Sequence, residues 1–190
     1  MLKKLIAVAL AAVLCAVCCG AAGAEENASG IMFRNIPWGT APEEVQKLLE
    51  EDTGGAVSFK KTEPAYFMNR EELGYYANFG SDGLDYYEIP GGGLRFADVY
   101  VDEIHLFFRD NQLVQASYFF RSDPDNLKPM CEELDRQYGP HTLSVSKQIT
   151  DVDLYTWIKD GSSITAETVQ IDAGILNYYS DIVVTFRAGT

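Results

Sequence analysis

Residues 103–120 read Glu103-Ile104-His105-Leu106-Phe107-Phe108-Arg109-Asp110-Asn111-Gln112-Leu113-Val114-Gln115-Ala116-Ser117-Tyr118-Phe119-Phe120. Ile104, Leu106 and Phe108 alternate with Glu103, His105 and Phe107. Beyond Arg109-Asp110-Asn111, the apolar Val114, Ala116, Tyr118 and Phe120 alternate with Gln115, Ser117 and Phe119. A period of two on both sides of a turn that suits Asn at positive φ is the pattern of a β-hairpin. One face is apolar and the other mixed. This predicts an antiparallel sheet with one face covered.

A second hairpin is expected around Lys159-Asp160-Gly161, between Tyr155-Thr156-Trp157-Ile158 and Ile164 to Ile171, with a last strand from Ile182 to Phe186. A helix is expected before each hairpin. Thr40-Ala41-Pro42-Glu43 spells a capping box with Pro early in the first turn. Val45, Leu48 and Leu49 then give one apolar stripe, Gly54-Gly55 stops the helix, and Ile36 and Trp38 cover its start. In the second helix Asp125 or Asn126 is a candidate cap. Leu127, Met130, Cys131, Leu134 and Tyr138 form the core stripe, and Gly139-Pro140 ends it.

Phe108-Arg109-Asp110-Asn111 and Ile158-Lys159-Asp160-Gly161 match in kind, and each follows an amphipathic helix ending in Gly. The chain therefore reads as two helix-then-hairpin pseudo-repeats, roughly residues 31–121 and 122–190. The first half carries an insertion, roughly residues 60–93. It is rich in aromatics (Tyr66, Phe67, Tyr75, Tyr76, Phe79, Tyr86 and Tyr87) and ends in Pro90-Gly91-Gly92-Gly93, a composition of loops with some additional strand.

Two such units in tandem resemble the fold of β-lactamase inhibitor protein, and one unit resembles the small lipoprotein of the outer-membrane barrel-assembly machinery. The residues that carry the resemblance are Trp38-Gly39-Thr40-Ala41-Pro42-Glu43-Glu44-Val45 in the first unit. In the second they are Leu134-Asp135-Arg136-Gln137-Tyr138-Gly139-Pro140 with Trp157. Uncharacterised secreted proteins of Gram-positive bacteria are similar in these motifs. They are helix ends and core anchors, so the resemblance implies a fold and no inhibitory residue. The chain departs from the inhibitor in its Tyr-rich insertion and in having no disulfide.

The first 24 residues read as a secretory signal peptide, with Lys3 and Lys4, an apolar run from Leu5 to Cys19, and Ala22-Gly23-Ala24 as cleavage site. The run is short for a ~30 Å hydrocarbon core. The expected product is a single α+β domain, residues 25–190, working outside the cell. Cys15, Cys18 and Cys19 leave with the leader, so only Cys131 remains and no internal disulfide forms. A lipid anchor at Cys18 or Cys19 would need a better lipobox than Cys15-Ala16-Val17 or Ala16-Val17-Cys18. The net charge of −13, more negative once Lys3 and Lys4 are removed, argues against nucleic acid and against adsorption on anionic lipid.

Catalytic motifs are not found. His105 lies mid-strand, His141 follows a helix, and Cys131 sits on a core stripe, so neither nucleophilic catalysis nor a zinc set is supported. Asp123-Pro124-Asp125-Asn126 lacks the Gly and Glu of a calcium loop and is better explained by capping. Gly91-Gly92-Gly93 lacks the Lys-Ser/Thr and helix of a phosphate cradle. Eleven Tyr and ten Phe exceed what helix stripes and one sheet face consume. Adjacent Tyr86-Tyr87, if on a strand, must point to opposite faces.

The expectation is thus an antiparallel sheet with two helices on one face, in a secreted non-enzymatic binding module without cofactor or metal. It would take a protein or cell-wall glycan on the exposed sheet face and on Tyr66, Tyr75, Tyr76, Tyr86 and Tyr87. The competing account of those rings is core and core rim. The alternative functions are a lipid-tethered envelope assembly factor and a carboxylate-based hydrolase.

Overall fold

The computed structural model describes residues 30–62, 84–146, 152–172 and 178–189. Residues 1–29, with the expected signal peptide, and the stretch 63–83 with Tyr66, Tyr75 and Tyr76 lie outside the described residues. Helix α1 spans Pro42–Thr53 and α2 Leu127–Tyr138. The strands are β1 Lys60–Thr62, β2 Leu84–Pro90, β3 Arg95–Phe96, β4 Val99–Tyr100, β5 Glu103–Arg109, β6 Gln112–Phe120, β7 Thr142–Ser146, β8 Val152–Lys159, β9 Ser162–Asp172 and β10 Tyr178–Arg187.

Among the described residues, eight strands form one antiparallel sheet in the order β1-β2-β5-β6-β10-β9-β8-β7, and β3-β4 is a separate small ribbon. Each helix therefore precedes four strands, and the last strand of each set meets the other at the centre of the sheet, with Phe120 opposite Ile182. The hairpins turn where the sequence pattern places them. Asp110 and Asn111 take φ of 50° and 63°, and Asp160 and Gly161 take 52° and 80°. Paired positive φ gives the turn whose twist matches that of the strands it joins, which explains Asp, Asn and Gly there.

The core lies between the two helices and one sheet face. Val45 and Leu49 of α1, and Leu127, Met130, Cys131 and Leu134 of α2, pack with Ile104, Leu106, Phe108, Ala116, Tyr118, Phe120, Ile164, Ile182, Val184 and Phe186. Burying each branched side chain contributes on the order of 1.5–3 kcal/mol, far more than helix propensity. The α+β class with two helices on an antiparallel sheet is as the sequence indicates.

The helix starts differ from the expectation. Ala41, not Thr40, is the N-cap of α1, and no side chain caps it. The Thr40 hydroxyl donates instead to the Pro37 carbonyl at 2.7 Å. Pro42 at the start removes one orphan N–H, which reduces the need for a cap. At α2, Asn126 occupies the N-cap position without a side-chain capping bond: its amide donates to Ser122 Oγ, and a short 3-10 turn (Pro124–Asn126) precedes the helix. Asp123 caps that turn through the Asp125 N–H.

The second-half motif has a structural use. Asp135 accepts hydrogen bonds from Trp157 Nε1, from the His141 backbone N–H and at His141 Nδ1, each at 3.0 Å. This ties the end of α2 to β8. Partial burial opposes the charge of Asp135, but these bonds outweigh it and hold its pKa below the usual range.

The triple glycine is no slack connection. A Cβ on Gly91 would lie 1.7 Å from the Val101 carbonyl oxygen, and Gly91 N–H donates to the Asp102 carbonyl at 2.7 Å. Backbone meets backbone there, and only Gly fits.

Candidate functional site

One of two concavities of similar volume is built around a two-residue turn. Phe33 and Ile36 form an isolated β-bridge, closed by the Ile36 N–H on the Phe33 carbonyl at 2.8 Å. Arg34 and Asn35 between them take φ of 49° and 61°. Asn tolerates this region, whereas Arg adopts it at a cost of roughly 1–3 kcal/mol, sustained when the surroundings over-determine the backbone. They do so here, because Phe33 and Ile36 are both buried in the core.

The turn aims the Arg34 guanidinium inward. Its Nε donates to Asp52 Oδ2 at 2.6 Å, a second nitrogen pairs with the same oxygen, and Nη1 donates to the Tyr118 hydroxyl at 3.2 Å. Asp52 comes from the last turn of α1, Tyr118 from β6. The Tyr118 ring lies 5.0 Å from Phe33, 5.5 Å from Phe96 and 5.9 Å from Phe186, centre to centre. Burial opposes the charge on Arg34, but Tyr118 and Asp52 outweigh it and raise its pKa. Burial pushes the Tyr118 hydroxyl up to about 12, against the pull of Arg34. Both groups keep one protonation state at neutral pH.

Around this triad is a cleft of about 250 Å³, lined by Met32, Asn35, Phe96, Gln137, Tyr138 and Phe186 together with Arg34, Asp52 and Tyr118. The Arg34 side chain is 19% exposed and that of Asp52 47%. The floor is aromatic and the rim holds amides, a carboxylate and a phenol. A concave site with an apolar floor and a few convergent polar groups is the usual form of a small-ligand pocket. Its one carboxylate is already paired with Arg34, and its lining has no His or Cys.

The sequence reading did not single out these residues. A signal was present. Phe33-Arg34-Asn35-Ile36 has two turn-compatible residues between apolar neighbours, as Asp110-Asn111 does in the central hairpin, but its flanks are too short for an alternating pattern.

The two described tyrosines of the expected site point apart. Tyr87 is half-buried on the helix side, 4.7 Å from Phe59 and 5.2 Å from Phe108. Tyr86, 2% exposed, lies on the opposite face, 5.2 Å from Phe107 and 5.3 Å from His105. The structure does not bring the pair together. Tyr66, Tyr75 and Tyr76 lie outside the described residues.

The mixed face differs from the expectation of an uncovered surface. His105, Phe107, Gln115, Ser117, Phe119, Val183, Thr185, Glu167 and Asp181 are all buried. Its polar groups bond along the rows: Arg187 Nε to Gln115 Oε1 at 2.8 Å, Gln115 Nε2 to Ser117 Oγ at 3.4 Å, and Ser117 Oγ with Thr185 Oγ1 at 3.0 Å. This mutual satisfaction is what lets a polar row be buried. His105 Nε2 lies 3.2 Å from Glu103 Oε2, and Arg121 reaches Glu103 Oε1 at 3.1 Å. Burial lowers the His105 pKa despite Glu103, so the ring is neutral at pH 7.

Cys131 is buried, and desolvation pushes its thiol up to about 12, the character of a core residue. Among the described residues no three His, Cys, Asp or Glu side chains gather as a metal set, and no helix is long and apolar enough to cross a membrane.

The fold and cleft together define an α+β protein with a small mixed polar and aromatic pocket between its two helix ends. Comparison with protein-family models, with curated proteins and with solved structures finds no match.

Proposed function

We propose that the protein is a secreted, non-enzymatic binding module that recognises a cell-wall glycan or protein through the cleft around Arg34. The observation that carries this reading is the Arg34–Asp52–Tyr118 constellation, held by a strained turn at the bottom of an open cleft. The acidic chain and the apolar leader are consistent with a soluble exported protein. The common element order of the two halves, a helix then four strands of the large sheet, with the β3-β4 ribbon added in the first, supports the pseudo-repeat reading.

The test is capture. Immobilised residues 25–190 should retain material from bacterial cell walls or culture fluid. A double variant, Asn35→Gly with Gln137→Ala, should lose it at an unchanged melting temperature. Both changes are at exposed positions, and Gly keeps the positive φ of residue 35. No capture by the wild-type chain, or equal capture by the variant, overturns the reading. Mass spectrometry of the exported form separates the tethered alternative: a free Glu25 terminus supports the soluble module, and a diacylated cysteine the envelope factor.

A further inference from the structure

We infer that the Arg34 cleft takes a neutral sugar ring, one hexose or N-acetylhexosamine unit of a glycan; the inference rests on the binding-module reading and names its ligand class. Charge is the first argument. Arg34 already has a carboxylate partner in Asp52, so the guanidinium does not call for an anion and the carboxylate does not call for a cation. An anionic ligand would also meet the field of a chain with a net charge of −13. A neutral ligand avoids both penalties.

Hydrogen-bonding capacity is the second argument. Asn35 carries a donor and an acceptor, Gln137 an acceptor and the N–H it does not give to Glu133, Tyr138 a hydroxyl, Asp52 a second oxygen and Arg34 its outer N–H groups. Planar groups with donors and acceptors at fixed spacing match vicinal hydroxyls, each of which donates and accepts. A purely apolar anchor would leave these groups desolvated and unpaired, at a cost that decides against it. The floor is the third argument. Phe96, half-buried, is the ring the cleft offers; it stacks on the buried Tyr118 at 27° between planes, with Phe186, also buried, edge-on to Tyr118. The C–H face of a sugar ring is apolar and packs on such rings. The volume of about 250 Å³ holds one ring and not an extended chain.

Arg34 is the positioning residue. It joins Asp52 to Tyr118 and so fixes the carboxylate at the rim and the phenol at the floor. The turn that carries it also puts the Asn35 amide at the mouth.

The experiment is a titration of isotope-labelled protein, residues 25–190, followed by amide shifts. The probes are glucose, N-acetylglucosamine and their β1,4-linked trimers, with a galacturonic acid trimer and a capped tripeptide as controls. The neutral sugars should shift the amides of Arg34, Asn35, Gln137 and Tyr138. Asn35→Gly and Gln137→Ala should each weaken the trimer about threefold to tenfold, the loss of one or two hydrogen bonds. Arg34→Lys keeps the charge and loses the fork, and should weaken binding at least as much. Wild-type capture of wall material or protein with no response to neutral sugars overturns the inference and leaves the module standing. A response to the acidic trimer or the tripeptide alone overturns it in the same way. Absence of any capture or response removes both.

Discussion

Replacing Asp181 by Asn should stabilise the protein at neutral pH. Asp181 sits on β10, is 7% exposed, and its Oδ1 is buried without a hydrogen-bond partner. Burial raises its pKa; Arg121 works the other way, while Asp102 and Glu103 add to the rise. The native state therefore holds the proton more tightly than the unfolded chain. Stability contributed by this group is complete below the ordinary carboxylate pKa near 4 and is lost as pH rises through the native value. At pH 7 the group is a net cost. A buried unsatisfied polar group costs ~1–3 kcal/mol. Asn removes the charge and with it the repulsion from Asp102 and Glu103. A gain of about 1 kcal/mol is expected, or roughly 2–4 °C in melting temperature for a chain of this size. Thermal unfolding of both proteins at pH 7 and pH 4 is the assay. The difference should shrink at pH 4, where the native carboxyl has taken up its proton more fully than that of the unfolded chain. Loss of stability of equal size at both pH values would refute the argument. It would mean that the carboxylate is engaged as a favourable acceptor and is not a buried charge in want of a partner.

Gly91→Ala should abolish folding or cost more than ~3 kcal/mol in urea unfolding, because its Cβ meets the Val101 carbonyl at 1.7 Å and backbone cannot yield as a side chain can; a loss under ~1 kcal/mol would show that the turn rearranges freely. Leu134→Ala should cost ~2–5 kcal/mol, since Leu134 is fully buried in α2 against the sheet; a loss below ~1 kcal/mol would place it outside the core. Cys131 should resist a thiol reagent at pH 8 in the native protein and react on unfolding, because it is buried and its thiol is pushed up to about 12; rapid native labelling would contradict its core position.

How far the sequence carried depended on the range of the interaction involved. The two hairpins, both helices and the Cys131 stripe were legible because each is set by local periodicity and by the φ preference of Asp110-Asn111 and Asp160-Gly161. Thr40 does not cap because its hydroxyl is committed to a 2.7 Å bond back to the Pro37 carbonyl, and the helix begins one residue later, with Ala41 as N-cap and Pro42 in the first turn. The covered state of the mixed face was misread for a different reason. Gln115, Ser117, Thr185 and Arg187 look solvent-facing one strand at a time, yet satisfy one another across β6 and β10. Pairing between strands 68 residues apart leaves no mark on either strand alone. The Arg34 cleft is hidden in the same manner. Its triad draws on residues 34, 52 and 118, one from a turn, one from a helix end and one from a strand. Each has an ordinary local explanation: a turn residue, a surface acid, a core tyrosine. Only the sheet order, which sets β6 beneath the end of α1, turns three unremarkable residues into one site. The turn itself is the part a sequence can announce. Phe33-Arg34-Asn35-Ile36 carries the same pair of positive φ values between apolar neighbours as Asp110-Asn111, and that short turn is the local trace this cleft leaves.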